Sequence, residues 1–364
     1  MTTTLSVRAE LVEAALLSSG GETRNRVTTL PFITGSALRG ALAARWLRAN
    51  GHLRPGRPPA PVTPDSRRRE FLRVFESGLV RFPYLYPSGV GPAPLTRYVY
   101  KQDPARHVVD TADPRRISGN DGGCARCGPD LQRASGSVQI GHSIRTRTAV
   151  AEAGQAAEGY LYAQEELDEG QAFQGVMTIG DDLGLDFGEW LPIGETVEVH
   201  LGGDRSTGGQ AAVSIKAARL RPVDLSSRRT NWLAVGLPAD TVVLTARSPL
   251  IFTDRWLRPA EQFRSGDLEV ALGIGGISLV RGTIGRPRLA GGWNPAAGVP
   301  KPADVALVEG SVALFTVPAI DEALLGRLAA AETAGIGWRR AEGFGSVVMW
   351  DTEHLRYYPD VAHD

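Results

Sequence analysis

Two stretches of the chain carry the same order of residue types. A basic residue, a glycine pair, small residues and a run of β-forming residues occur in LGGDRSTGGQAAVSI at 201–215 and in WRRAEGFGSVVMW at 338–350. Glycine permits tight turns and close approach of two backbones, and an internal repeat indicates a duplicated structural unit. The repeat predicts an α+β protein made of two tandem units with ferredoxin-like order of strands and helices.

The length of 364 residues suits two domains that each bury their own core. Composition shifts at 222–238, which we take as the junction, so the predicted domains are 1–222 and 238–364. Periodicity is poor between about 80 and 148, where Gly, Pro and Asp are frequent. This segment is predicted to be an irregular insertion in the first domain.

Hydrophobic periodicity predicts the main elements. LSVRAELVEAALL near the start favours a strand, and a helix is expected from Ser36, as its N-cap, to Asn50. GYLYAQEELDEGQAFQGVMTIG favours a hairpin that turns at 168–171. In the second unit, TVVLTARSPLIF and VALVEGSVALFTV favour strands and DEALLGRLAAAETAG a helix.

The net charge of zero hides a separation of charge along the chain. Residues 1–147 hold 22 basic and 11 acidic residues, whereas residues 148–204 hold 13 acidic residues and no Lys or Arg. A basic region can concentrate phosphate, and an acidic region can face a basic protein. We therefore expect Glu165, Glu166 and Glu169 to face a protein partner, a solvated mixed surface being the alternative.

Membrane association is not expected. No apolar run approaches the roughly 18 residues of a membrane helix, and LVEAALLSSG lacks the basic flank and cleavage site of a signal peptide. These features predict a cytoplasmic protein.

An ordered set of motifs resembles the RAMP superfamily, the repeat-associated RNA-binding subunits of CRISPR effector complexes. PFITGSALRGALA is similar to the family's helix start, and the loops at 202–209 and 339–346 to its glycine-rich loops. FESGLVRFPYLYP, the cysteine pair, residues 145–177 and HLGGDRSTGGQ follow in the order of the tandem type III-D branch.

The resemblance implies two RRM-like or ferredoxin-like domains that hold crRNA mainly through backbone contacts. It further implies a non-catalytic structural subunit of a type III interference ribonucleoprotein, which holds the 5′ handle of the crRNA beside the large polymerase-type subunit. The partners expected on this basis are crRNA and other effector subunits.

The motif residues have the chemistry for phosphate binding. A helix start presents N–H groups beside Gly35 and Ser36, and Arg39, expected in solvent, can reach a second phosphate oxygen. Arg145 and Arg147 alternate and would share one face of a strand. A capped helix, tight β-turns and solvated arginines are the alternatives. The predicted RNA-binding residues are Arg24, Arg26, Gly35, Ser36, Arg39, Arg145, Arg147, Arg205, Gly208, Arg339, Arg340, Gly343 and Gly345.

The two cysteines, Cys124 and Cys127, form half of a structural zinc site. His107 and His142 flank them and could supply further ligands, so a structural zinc ion and a pair of thiols both remain open. The glycine-rich loops lack the lysine spacing of a P-loop and the strand-first context of a dinucleotide site. We expect no nucleotide cofactor.

Catalytic residues are not evident. RNA cleavage without metal usually employs a histidine as general acid or base, and His354, near the end of the chain, has no predicted partner. Target-cleaving RAMP subunits carry an aspartate after the first strand, where this chain offers Glu22. We expect no catalysis. The alternatives are a metal-independent endoribonuclease for precursor crRNA, with His142 beside Arg145 as its candidate, and a protein-only scaffold.

Overall fold

The computed structural model describes residues 3–18, 26–53, 60, 62, 65–87, 91–101, 108–113, 131–134, 140–150, 156–180, 184, 186–203, 208–218, 223–254, 256–294 and 299–355. Five residues with predicted roles lie outside this part: Arg24, His107, Cys124, Cys127 and Arg205.

Helices and mainly antiparallel sheets together make an α+β protein, as predicted. In the described part the helices are α1 (Gly35–Ala49), α2 (Asp65–Phe75), α3 (Leu225–Ala234), α4 (Ser265–Leu272) and α5 (Glu322–Ala334). The strands are β1 (Thr3–Leu11), β2 (Arg26–Val27), β3 (Val80–Arg81), β4 (Tyr86–Pro87), β5 (Arg97–Tyr100), β6 (Val108–Asp110), β7 (Leu131–Arg133), β8 (His142–Val150), β9 (Ala156–Leu167), β10 (Ala172–Ile179), β11 (Thr196–His200), β12 (Gln210–Ala217), β13 (Thr241–Ala246), β14 (Ser278–Thr283), β15 (Arg288–Ala290), β16 (Trp293–Asn294), β17 (Val299–Pro300), β18 (Asp304–Ala306), β19 (Val312–Thr316) and β20 (Val347–Met349).

The first large sheet has the strand order β11-β12-β1-β10-β3, and β4 also pairs with β10. Its strands are antiparallel. β1 buries every second side chain, as a strand with one face on a core must. Leu38, Leu42 and Trp46 on α1 belong to the same core.

The second large sheet has the order β14-β19-β13-β20. All six residues of the central strand β13 are buried, because side chains from α4 and α5 belong to its core together with Trp350 and Phe315. The predicted helix at 321–335 is confirmed as α5, with Asp321 as its N-cap. α4 and β14 were not foreseen.

Three local predictions were wrong. Thr34, not Ser36, caps α1, and its Oγ1 accepts the N–H of Ala37. Part of the expected irregular insertion belongs to the first sheet, since β3 pairs with β10 and Phe82 is fully buried. The turn at 168–171 exists, but β9 pairs with β8 and β10 pairs with β1, so the expected hairpin does not form.

Candidate nucleic-acid interface

The first glycine-rich loop folds back on the chain that follows β1. Its backbone hydrogen bonds are Leu201 N–H to Gly209 O at 2.8 Å, Gly209 N–H to Ala14 O at 2.9 Å and Gly203 N–H to Leu16 O at 3.1 Å. The two ends of the loop are therefore bonded to each other and to the residues that follow β1.

The second glycine-rich loop repeats this pattern after β13. The corresponding bonds are Ile336 N–H to Gly345 O at 2.9 Å, Gly345 N–H to Pro249 O at 2.9 Å and Trp338 N–H to Ile251 O at 3.0 Å. The repeat seen in the sequence is thus a repeat of three backbone hydrogen bonds, which join the described ends of each loop to each other and to the residues that follow the first strand of that half.

Each loop requires glycine at two positions beside these hydrogen bonds. Gly202 and Gly337 have φ of 78° and 77°, and Gly209 and Gly345 have φ of 85° and 82°. A Cβ on Gly209 would lie 2.4 Å from the Leu201 oxygen, and a Cβ on Gly345 would lie 2.0 Å from the Ile336 oxygen. At Gly208, a predicted RNA contact, an added Cβ would lie 2.7 Å from the Ala14 oxygen. Close packing of protein backbone accounts for these glycines.

The second loop also closes on the start of α1. A Cβ on Gly35 would lie 2.1 Å from the Phe82 oxygen and 2.3 Å from the Glu342 oxygen. The Phe82 N–H donates to Ala341 O at 3.1 Å, and the Ser36 hydroxyl lies 3.2 Å from the cap hydroxyl of Thr34. The glycine therefore admits protein backbone and not the phosphate that we expected there.

Arg39 does not lie in solvent, which corrects the prediction. Its side chain is 10% exposed, and Nη1 donates to Phe75 O and to Glu76 Oε2, both at 3.1 Å. Nη2 lies 3.7 Å from Glu342 Oε1. The guanidinium group joins α1, the end of α2 and the second loop, and it is part of the fold.

Glu342 is the centre of this charge network. Arg339 Nη2 donates to it at 2.9 Å and Lys301 Nζ at 3.2 Å. Burial alone would raise the pKa of Glu342, but the hydrogen bond from Arg339 and the charges of Arg39, Arg339 and Lys301 hold that pKa below its ordinary value. Because Arg339 also donates to Asp304 Oδ2 at 3.0 Å, its guanidinium is already engaged by two carboxylates.

Three other residues of this loop differ in exposure and contacts. Gly343 has φ of 84°, and a Cβ there would lie 2.5 Å from the Phe82 oxygen. Phe344 is buried against Tyr84, with ring centroids 5.6 Å apart, so it packs in the core. Arg340 is exposed, and its Nη1 lies 3.5 Å from Gly335 O.

A residue that sequence reasoning missed lies beside Arg340. Arg81 Nη1 donates to Thr333 O at the end of α5. Burial lowers the pKa of Arg81 to about 10, with the positive charge of Arg340 as the second cause. The sequence gives one indication of it, because Arg81 stands between Val80 and Phe82, which are both fully buried. Side chains alternate along a strand, so an arginine at this position points away from the core of the first sheet.

Arg145 and Arg147 share one face of β8, as predicted, but both approach an acidic residue. Arg145 Nε lies 3.5 Å from Glu166 Oε2, and Arg147 Nη2 lies 3.2 Å from Glu166 Oε1. Arg26 Nη2 lies 3.7 Å from Glu165 Oε2 on the neighbouring strand. Glu165 and Glu166 therefore do not point outward to a protein partner, whereas Arg26 and Arg145 keep about half of their side chains exposed, at 53% and 51%.

Two histidines have acidic partners. His142 Nε2 lies 3.4 Å from Glu165 Oε1 and its side chain is half exposed. His354, expected to have no partner, is fully buried, with Nδ1 2.7 Å from Asp110 Oδ2 and Nε2 2.8 Å from Thr245 Oγ1. Burial opposes ionisation of Asp110, but the charge and the hydrogen bond of His354 lower the pKa of Asp110. A substrate cannot reach this buried group, which instead links β6 to β13.

Two exposed tryptophans stand at the second loop. Trp338 donates its Nε1–H to Thr253 Oγ1 at 3.0 Å, which fixes its ring beside the turn that carries Trp256 and Leu257. Trp256 is 66% exposed and Leu257, with φ of 60°, is 71% exposed. Exposed indole rings on a fixed turn are suited to stacking with unpaired bases.

Within the described residues, no group of three or more His, Cys, Asp or Glu side chains is arranged to hold a metal ion. None of the helices in the described part of the chain has the length and apolar character that crossing a membrane requires.

No protein-family model and no curated protein matches the chain. Among solved structures, it is similar at 15% identity and a TM-score of 0.46 to a chain of the type III-B Cmr-beta complex bound to cognate target RNA and AMPPnP, over 85% of this chain and 86% of that one. The CRISPR-associated protein Cas6 is similar at 9% identity and a TM-score of 0.35, over 96% and 99%. Cmr4 is similar at 10% identity and a TM-score of 0.29, over 59% and 100%.

Proposed function

We propose that this chain is a non-catalytic structural subunit of a type III CRISPR interference ribonucleoprotein and that it binds crRNA. One observation carries the proposal: the ends of the two glycine-rich loops make the same three backbone hydrogen bonds, and the second loop packs against the helix start PFITGSALRG. The RAMP resemblance was drawn from these same motifs, and their contact in the fold supports it.

The strand orders support two ferredoxin-like domains. In the first sheet the order β12-β1-β10-β3 places the first strand beside the last, and the order β20-β13-β19-β14 does the same in the second. In the second half, α4 follows β13 and α5 follows β19, which gives the βαββαβ order of the ferredoxin-like unit.

Exposed cations and indole rings supply the binding chemistry. Arg26, Arg145 and Arg340 offer guanidinium groups to phosphate, and Trp256 and Trp338 offer stacking surfaces. On the basis of the resemblance, we propose that the bound RNA segment is the 5′ handle of the crRNA. On the same basis, we propose that the neighbouring protein is the large polymerase-type subunit.

Equilibrium binding of labelled repeat-derived RNA tests the proposal. We expect affinity that hardly depends on base identity and that falls with salt, with a log–log slope of about −0.7 for each phosphate contacted. Arg145→Ala should weaken binding and reduce the slope by about one contact, whereas Arg48→Ala, an exposed arginine at the end of α1, should do neither. Affinity independent of salt contradicts phosphate binding.

The second candidate function is metal-independent cleavage of precursor crRNA, which the His142–Glu165 contact favours. A carboxylate at this distance can orient an imidazole for general acid or base catalysis. Repeat RNA incubated with the protein and EDTA should yield discrete products that His142→Ala abolishes, if this candidate is correct. Intact RNA in that assay supports the non-catalytic role.

A further inference from the structure

We infer that Arg81 and Arg340 together bind one phosphate group of the RNA backbone where the two halves of the chain meet. The inference rests on the proposed function and adds a residue, Arg81, and a ligand position to it. Arg81 belongs to β3 of the first sheet, and Arg340 to the second glycine-rich loop.

Both guanidinium groups reach the same place, the C-terminal end of α5. Arg340 Nη1 lies 3.5 Å from Gly335 O, and Arg81 Nη1 donates to Thr333 O. Arg81 Nη2 also lies close to Gly335, since a Cβ placed on Gly335 would be 2.4 Å from this nitrogen. The two positive charges therefore converge on one glycine.

Neither arginine has an acidic partner within 4.0 Å among the residues that the structure describes. Other arginines near the contact between the two halves have acidic partners, including Arg39, Arg339 and Arg247. Two like charges side by side repel each other, and burial intensifies the repulsion. The lowered pKa of Arg81, caused by burial and then by Arg340, reflects this uncompensated pair.

Capping of α5 does not account for the pair. Cations near a helix C-terminus are favourable, but each arginine is bound to one carbonyl and a guanidinium has five N–H donors. Arg81 Nε is buried and has no hydrogen-bond partner in the described part of the chain. The remaining donors point to an anion that lies between the two side chains.

A phosphate group fits these donors better than a neutral ligand does. It carries the charge that offsets both guanidinium groups and has several oxygens for paired N–H donors. Because Arg340 is exposed, a phosphate within an RNA strand can reach the pair from solvent. Free phosphate shares the same chemistry, so the experiment must separate the two sources.

A scan with methylphosphonate substitutions tests the site, since each substitution removes the charge of one phosphate. Binding of a labelled repeat-derived oligoribonucleotide to the full chain is measured for each substituted RNA. We expect one position at which affinity falls on the order of tenfold. Arg340→Gln should lower affinity for unmodified RNA by a similar factor and should show no further loss at that position. Arg81→Gln should behave alike.

Arg327→Gln is the matched control. Arg327, on α5, is exposed like Arg340, and its Nη1 donates to Gly273 O at the end of α4 at 3.0 Å. Its variant should bind RNA like the wild type and keep the full sensitivity to the substituted phosphate.

Each outcome decides the inference. If wild type binds RNA and Arg340→Gln keeps its affinity and its sensitivity, the site is overturned while the proposed function stands. If wild type binds no RNA, both are overturned. If inorganic phosphate raises the Tm of wild type but not of Arg340→Gln while RNA affinity is equal, the pair binds free phosphate and the RNA assignment is overturned. Arg340→Gln decides alone if Arg81→Gln fails to fold.

Discussion

Arg39 gives the sharpest test of the contact between the two halves. Replacing it by alanine removes a charged donor from the buried Phe75 oxygen and one of three cations from Glu342. Loss of a hydrogen bond from a charged group costs about 1.5–3 kcal/mol. The penalty of about 3–5 kcal/mol for breaking a buried ion pair is not reached, because Glu342 keeps Arg339 and Lys301. We expect Arg39→Ala to lower the free energy of unfolding by about 2–3 kcal/mol.

Thermal unfolding followed by circular dichroism measures this loss. With about 2–4 °C for each kcal/mol in domains of this size, the Tm should fall by roughly 4–12 °C. Arg48→Ala, on the same helix and exposed, should cost less than about 1 kcal/mol. A variant at Arg39 that melts with the wild type but loses RNA affinity would place the guanidinium in solvent and refute the reasoning.

Three further predictions concern glycine, acid and the buried histidine. Gly345→Ala should destabilise the protein by at least about 1–3 kcal/mol of backbone strain, whereas Gly326→Ala, in α5 with nothing within 4 Å of its Cβ, should be neutral or stabilising in the same urea titration. Because the pKa of Glu342 is lowered on folding, its contribution to stability is present above its ordinary pKa of about 4.3 and is lost as pH falls through the folded value. The wild type should therefore lose stability in acid more steeply than Glu342→Gln, and equal slopes would contradict the network. Asp110→Asn should cost about 1.5–3 kcal/mol, because a neutral amide replaces the buried carboxylate that His354 contacts, and an unchanged Tm would show that the pair is not formed.

Local patterns in the sequence predicted the parts of the fold that depend on neighbours in the chain. Helical spacing predicted α1 and α5, and the repeated glycines predicted two loops whose ends share the same backbone hydrogen bonds. The N-cap was misplaced because Thr34 and Ser36 are both good caps, and only the start of the helical backbone decides between them.

Contacts between distant segments could not be predicted in this way. Periodicity indicates which face of α1 carries Arg39 but not that Glu342 will cover it. The strand pattern of 156–179 fits a hairpin, yet β9 and β10 find better partners in other segments. The role of Arg81 likewise depends on a loop from the other half of the chain.

The seating of the second loop on α1 also has a consequence for the order of folding during synthesis. The first sheet is complete in sequence once β12 has left the ribosome, but residues 341–343, which cover the start of α1, are made much later. Contacts so distant in sequence form late. In the nascent chain, residues 341–343 do not yet cover the N–H groups beside Gly35, and a helix start of this kind can bind an anion. Arg39 has its contacts to Phe75 and Glu76 at that stage but not the one to Glu342. Under the proposed function, RNA bound at that stage would compete with the docking of the second half, so we expect the chain to complete its fold before it binds RNA.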